Sequence, residues 1–214
     1  DEATRAIADC FDGVFGTAGA RVVLEEYLDG EEASFFALCD GKTAIAFASA
    51  QDHKRAFDGD KGPNTGGMGT YSPAPIMTAA MHQRIMDEMI LPTVQGLANE
   101  GIPYIGVLFA GIMVVQGKPK LIEYNCRFGD PETQVMLARF SGDLAKLLLS
   151  CAHGALDANE LRFSNDAALC VVIAAKGYPG NYEKGTVIEG LERAQAYVDV
   201  LHAGTVRDGA AWKA

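Results

Sequence analysis

Apolar residues change their spacing several times along this chain, and each change marks a predicted element. Over residues 1–11 they return every three or four positions, with Ala3, Ile7, Cys10 and Phe11 on one stripe, which predicts an amphipathic helix. Residues 21–28, 33–40 and 43–50 read as three strands joined at Asp29-Gly30 and Asp40-Gly41. Asp-Gly pairs favour tight turns, so an antiparallel meander is expected. Residues 51–71 break the pattern: they are polar and carry Gly59, Gly62, Gly66, Gly67 and Gly69, which predicts a long loop of the functional or disordered kind.

Helical spacing returns over 78–99, with Thr78 as the cap, Met81, Ile85, Met89 and Ile90 facing inward, and Pro92 expected to kink it. Residues 106–115 and 119–126 form a predicted hairpin around Gly117. A second helix is expected over 143–153, with Leu144, Leu147, Leu148 and Cys151 on one stripe and Gly154 ending it. Residues 155–166 are polar and aperiodic and read as a linker. An apolar strand over 167–175 then opens a second unit, with strand-like segments at 185–188 and 197–202. The division is therefore a domain over 1–154, the linker, and a second unit over 167–214, with no internal repeat.

Composition narrows the class. At 214 residues and 49% hydrophobic the chain can bury a sizeable core. A formal charge of -10 with no Lys/Arg stripe argues against a nucleic-acid partner. Lys54, Arg55, Lys61 and Arg127 sit among glycines and acids, which favours local anion sites. Five cysteines, an odd number without C-x-x-C spacing, read as reduced core residues of a cytosolic protein. No apolar run approaches the roughly 20 residues of a membrane span and no signal peptide opens the chain, so no membrane partner is expected and the cytoplasm is the default location. His82, His153 and His202 read as surface or helix-end residues.

The densest chemistry lies in residues 121–132. Alternation along a strand puts Glu123, Asn125 and Arg127 on one face and Ile122, Tyr124 and Cys126 on the other. A carboxylate and an amide oxygen suit Mg²⁺, whose octahedron nucleotide phosphates can complete, and Arg127 can fork onto a phosphoryl or carboxylate oxygen. The plain alternative is the solvated face of a sheet. The glycine-rich residues 62–69 can turn backbone N–H groups toward one anion or cover a site, or can form a merely flexible loop; they match neither a Walker A loop nor a Rossmann fingerprint. Residues 22–32 end a strand in acids, a segment able to bond adenine through backbone and carboxylate, or equally a charged edge that resists aggregation.

Together these pieces resemble the ATP-grasp enzymes and, within them, the phosphoribosylamine-glycine ligase family, over essentially the whole chain. The most specific string is Arg127-Phe128-Gly129-Asp130-Pro131-Glu132-Thr133-Gln134. Also similar are Gln51-Asp52-His53-Lys54-Arg55, residues 63–69, Tyr71-Ser72-Pro73-Ala74-Pro75 and Ala174-Ala175-Lys176-Gly177-Tyr178-Pro179-Gly180. The resemblance implies an α+β ATP-grasp fold, its large subdomain with part of the small one, followed by a small mostly-β C-terminal domain. It places Glu25, Glu26 and Leu28 against adenine, Glu32 on the ribose, and Glu123 and Asn125 on Mg²⁺ (or Mn²⁺). A second metal held wholly by protein is in doubt, since the preceding strand reads Val107-Leu108-Phe109-Ala110 where many of these enzymes carry an acid.

By the same resemblance, ATP phosphorylates the glycine carboxylate and the amino group of 5-phosphoribosylamine attacks the acyl phosphate, with Arg127 stabilising the transferring phosphoryl group. Asp52, His53 and Lys54 together with Asn64, Thr65, Gly66, Gly67, Met68 and Gly69 would hold phosphoribosylamine. Asp130 and Glu132 would orient an amine, or only shape the turn and cap the next helix. The family's chain begins with parts that residue 1 does not include, so these 214 residues alone are expected to be inactive and to need that N-terminal part. Two other readings stay open: another ATP-grasp carboxylate-amine ligase, and a non-catalytic nucleotide-binding segment of a multifunctional protein.

Overall fold

The computed structural model describes residues 2–214, so the predicted helix over 1–11 has its first residue, Asp1, outside them. Helix α1 (Glu2–Phe11) leads into a short 3₁₀ turn, Gly16–Ala20, that folds back onto it. A Cβ on Gly19 would lie 2.1 Å from the Cys10 carbonyl, so only glycine permits that approach. The strand expected over 21–28 is absent. Its apolar residues Val23, Leu24 and Tyr27 are 84%, 75% and 90% exposed, and no neighbouring strand among the described residues offers the ladder that would hold them extended.

Strands β1 (Glu31–Asp40) and β2 (Ala44–Asp52) form the expected hairpin. The Asp40 carboxylate accepts the Lys42 and Thr43 amides at 3.0 and 2.9 Å, which explains why the turn falls there. The glycine-rich stretch is more ordered than its composition suggests: β3 (Arg55–Phe57) and β4 (Lys61–Asn64) pair in a small hairpin, and β5 (Gly69–Ser72) joins the main sheet beside β2.

Helix α2 (Ala79–Ile85) and helix α3 (Leu91–Asn99) continue one another through a π-helical turn, Met86–Ile90. Thr78 caps α2 as predicted, accepting the Met81 amide. The effect expected of Pro92 appears as this widened turn. Proline has no N–H and crowds the carbonyl four residues back, and the Leu91 amide reaches back five residues to Met86 instead of four. Strands β6 (Ile105–Val115) and β7 (Lys118–Asn125) follow as the predicted hairpin, then α4 (Glu132–Arg139) and α5 (Leu144–Ala152). Asp143 caps α5 through the Lys146 amide at 2.9 Å.

Among the described residues six strands make the central sheet, in the order β7-β6-β1-β2-β5 and then β8 (Ala168–Val171). Alternation along β1 sorts its two faces. Phe35, Ala37 and Cys39 pack under Met81, Ile85, Ile90 and Val94 of the α2–α3 helix, while Phe36 and Leu38 pack against Met136 of α4 and Leu147 and Cys151 of α5. Residues 155–166 lie on this second layer, with Leu156, Leu161 and Phe163 against the core. Arg139 joins the layers, donating to Ser72 Oγ at 2.8 Å and to the Asp166 and Ser164 carbonyls at 2.8 and 3.1 Å.

The strand expected over 167–175 covers only β8. Of the later segments, β9 (Val187–Ile188) is present, but residues 197–202 are not a strand; Tyr197, Val198 and Leu201 are exposed there with no ladder beside them. Instead helix α6 (Leu191–Gln195) leads toward β10 (Val206–Asp208) and β11 (Ala211–Lys213), and β11 pairs with both β10 and β9. His82 also departs from expectation: it is half-buried, shares a 3.0 Å bond with Ser49 Oγ, and burial pulls its pKa down. Cys39 and Cys151 are core residues, and Cys126 is exposed. No helix among the described residues is long and apolar enough to cross a membrane.

Candidate functional site

Strand register assembles the site. Ser34 on β1 lies opposite Gly111 on β6, and Gly111 opposite Glu123 on β7; the next row holds Phe36, Phe109 and Asn125. Directly opposed residues share a face, and Phe36 and Phe109 stack at 4.5 Å beneath the α4–α5 layer, so Ser34, Glu123 and Asn125 face that layer too. Two positions from Ser34, Glu32 keeps the same face. Asp52 continues the face of Ala48 and Ala50 at the end of β2.

Asn125 Nδ2 donates to Glu123 Oε1 at 3.0 Å, so the pair on which the metal reading rests is in contact. Turned over, the same amide presents its oxygen beside the carboxylate, giving two hard oxygen donors at one point. The described residues hold no group of three or more His, Cys, Asp or Glu that could enclose a metal. This donor set therefore fits a cation such as Mg²⁺ that takes its remaining ligands from water or phosphate.

Lys54 Nζ is paired with Glu32 Oε1. Burial opposes its charge, but the bond to Glu32 and the fields of Asp52 and Glu123 outweigh that and raise its pKa. A cation is thus bonded to the residue expected at the ribose, Glu32, and lies within the field of the residue expected at the metal, Glu123. Asp52 is in the opposite condition. Burial, and next the nearby Glu132 carboxylate, push its pKa up to about 7, and its buried Oδ1 has no hydrogen-bond partner among the described residues.

Glu132 opens α4 and is 2% exposed, and its Oε1 accepts a 2.7 Å bond from the buried Ser34 hydroxyl. It does not cap the helix, because Pro131 occupies the cap position without a side-chain bond. Asp130 is not a cap either; its Oδ1 accepts from Gln134 Nε2 at 2.8 Å. Ser34 is the residue the sequence reading missed, and its only signal was a small polar residue two positions from Glu32, just ahead of the apolar run Phe35–Cys39. Arg127 lies just past the end of β7, exposed, with Nη1 on the Phe128 carbonyl at 2.8 Å.

The glycine loop is turned inward. The Thr65 amide bonds the Lys54 carbonyl at 2.7 Å, Gly67 bonds Thr65 Oγ1 at 3.0 Å, and Met68 bonds the His53 carbonyl at 2.8 Å. The Gly66 amide bonds the Tyr178 hydroxyl at 3.3 Å. As folded, these amides cover the Asp52–Lys54 segment instead of cradling an anion. Gly67 has φ +132°, and a Cβ there would lie 2.4 Å from Pro131 Cδ and 2.9 Å from Asp52 Oδ1, so the loop, the Asp52 carboxylate and the start of α4 meet at one point.

Residues 22–30 stand apart from this cluster. Glu25 and Glu26 are exposed and Leu28 is half-buried, and the segment is tied down where Lys120 Nζ bonds Glu26 at 2.9 Å. Gly30 passes so close to β6 that a Cβ would lie 2.3 Å from the Val114 carbonyl.

Comparison with known proteins gives consistent matches. Residues 1–133 match the model of the phosphoribosylglycinamide synthetase ATP-grasp (A) domain, and residues 168–213 that of the phosphoribosylglycinamide synthetase C domain. A phosphoribosylamine-glycine ligase of Rhizobium meliloti is 58% identical over 209 residues, covering 98% of this chain and 49% of the relative. One from Vigna unguiculata is 54% identical over 97% of this chain and 69% of its own length. The crystal structure of the Thermotoga maritima phosphoribosylamine-glycine ligase superposes with a TM-score of 0.71 at 33% identity, over 88% of this chain and 46% of that one. The biotin carboxylase domain of the Hydrogenobacter thermophilus 2-oxoglutarate carboxylase, solved with MgADP, shares the fold at a TM-score of 0.62 and 17% identity, covering 86% of this chain and 39% of that one. The chain spans about half the length of the first of these relatives.

Proposed function

The chain belongs to the phosphoribosylglycinamide synthetase family, and we propose that the full-length protein carrying it joins glycine to 5-phosphoribosylamine in de novo purine biosynthesis, converting ATP to ADP and phosphate. The observation that carries this is the contact of Glu123 with Asn125 on the same sheet face as Ser34 and Glu32, with Lys54 paired to Glu32. A divalent cation on Glu123 and Asn125 would supply charge neutralisation between the phosphates of ATP. The ATP-grasp part ends in this reading at residue 154, and the C-terminal unit begins at 167.

A carboxylate oxygen is a poor leaving group, and phosphorylation of the glycine carboxylate makes it a good one. The amino group of phosphoribosylamine then forms the C–N bond as the C–O bond to phosphate breaks and the nitrogen gives up a proton. What the chain's own residues do is place and neutralise. Arg127, on the exposed turn after β7, reaches the transferring phosphoryl group once its bond to the Phe128 carbonyl is given up. Lys54 offers its charge to the phosphate of phosphoribosylamine, and residues 64–69 close over that end. Glu25, Glu26 and Leu28 meet adenine, and Glu32 the ribose. Asp130 and Glu132 fix the turn against which the amine is aligned.

The test is ADP release by the full-length protein with ATP, Mg²⁺, glycine and freshly generated phosphoribosylamine, each omitted in turn and repeated with Glu123→Ala. Turnover that needs all four and drops at least about a hundredfold in the variant is the expected result. Turnover with a different acid or amine would reject the substrates, and a folded protein that binds ATP without turnover would reject the ligase.

A further inference from the structure

The bonds that hold the glycine loop come from two sources. Thr65 and Met68 give their amides to the Lys54 and His53 carbonyls, at the other end of the same glycine-rich stretch, and Gly67 gives its amide to Thr65 Oγ1. Gly66, at the exposed tip, gives its amide to Tyr178, 112 residues further along.

Strand pairing brings Tyr178 to the loop. Strand β8 pairs with β5 so closely at Gly69 that a Cβ there would lie 2.9 Å from the Cys170 carbonyl. The chain then stays beside the loop, with the Val172 amide on the Met68 carbonyl at 2.9 Å. A tight turn follows. The Tyr178 amide bonds Ala175 at 3.1 Å and the Gly180 amide bonds Gly177 at 2.9 Å, while Gly177 takes φ +103°. A Cβ on Gly177 would lie 2.6 Å from the Asn181 carbonyl, so the turn depends on glycine at that position. It carries the Tyr178 hydroxyl to the loop tip.

We propose that Tyr178 is a positioning residue: its hydroxyl, by accepting the Gly66 N–H, holds the glycine loop down over the Asp52–Lys54 segment and so sets affinity for the phosphate-bearing amine substrate. The proposal rests on the reading of that loop as part of the substrate site. The hydroxyl need not touch the substrate. It makes the loop's position depend on the C-terminal part of the chain, so that the segment carrying Lys54 is presented with its cover already in place.

Two measurements on the full-length protein with Tyr178→Phe test this. The first is amide hydrogen exchange over residues 64–69, which reports the clasp whatever the enzyme's substrates are. The second is a full kinetic analysis. Losing one hydrogen bond between uncharged groups should speed exchange at Gly66 and raise KM for phosphoribosylamine about two- to tenfold, leaving kcat, KM for ATP and the unfolding midpoint as in the wild type. Unchanged exchange would overturn the clasp. Faster exchange with unchanged KM would overturn the link to substrate, and a general loss of kcat with a lower unfolding midpoint would show a merely structural role. If the wild-type protein does not use glycine and phosphoribosylamine, the proposed function fails, and the exchange result still decides the clasp.

Discussion

The Ser34 hydroxyl donates a 2.7 Å hydrogen bond to the Glu132 carboxylate where both side chains are buried, tying the central strand to the first turn of α4 across 98 residues of sequence. Deleting the hydroxyl leaves a buried carboxylate oxygen short of a donor. Ser34→Ala should therefore cost about 1–3 kcal/mol. Ser34→Thr, which keeps the hydroxyl, should recover part of that. Urea unfolding followed by circular dichroism gives both values, and a Ser34→Ala variant as stable as wild type would show that Glu132 does not need the bond.

Asp52 makes stability depend on pH. Its folded pKa of about 7, raised first by burial and then by Glu132, lies well above the roughly 3.9 of an unfolded aspartate. A raised carboxyl pKa means the folded state binds the extra proton, so this contribution is complete below about pH 4 and is lost as pH rises through about 7. Asp52→Asn, which cannot ionise, should remove part of the wild-type decline in unfolding free energy between pH 5 and 8. Parallel wild-type and variant curves across that range would rule the effect out.

Two glycines should respond in opposite ways to alanine. At Gly67 the backbone is in the left-handed region and a Cβ would meet Pro131 Cδ at 2.4 Å, so Gly67→Ala should destabilise by about 2 kcal/mol or more. Gly96 lies within α3 with nothing within 4 Å of its would-be Cβ, and Gly96→Ala should stabilise by about 0.5–1 kcal/mol. Thermal unfolding of the two variants provides the comparison.

The pair of Lys54 with Glu32 separates stability from activity. Both side chains are about a third exposed, 34% and 37%, so the pair contributes at most about 1 kcal/mol to folding. Lys54→Met should leave the unfolding midpoint nearly unchanged, yet reduce ligase turnover in the full-length protein at least about tenfold by removing the cation offered to the substrate phosphate. Equal losses in both measurements would make Lys54 a structural residue.

Much of this architecture was legible in the sequence because its signals were local. The Asp40-Gly41 turn, the Thr78 cap and the hairpin at Gly117 each rest on a few adjacent residues, and each appears where expected. Residues 21–28 had strand composition, but a strand also needs a neighbour, which no local pattern supplies. Residues 51–71 were hidden for the converse reason: Gly67 and Gly69, which suggest a flexible loop, lie where Pro131 and Asp52 and then β8 press close. The contact of Glu123 with Asn125 followed from strand alternation, whereas Lys54 with Glu32 and Ser34 with Glu132 depend on which strands lie side by side.

Strand β5 has only four residues but is flanked by β2 on one side and β8 on the other, and the glycine loop hangs from its first residue. A pull on the C-terminal end would, once the small β9–β11 sheet had given way, load β8 and through it both β5 and helix α4. The loop would be disturbed first while the Phe36 and Phe35 cores remained intact. In mechanical terms the covering of Lys54 hangs on the C-terminal strands, and single-molecule extension should register its release as a small early step ahead of the main unfolding event.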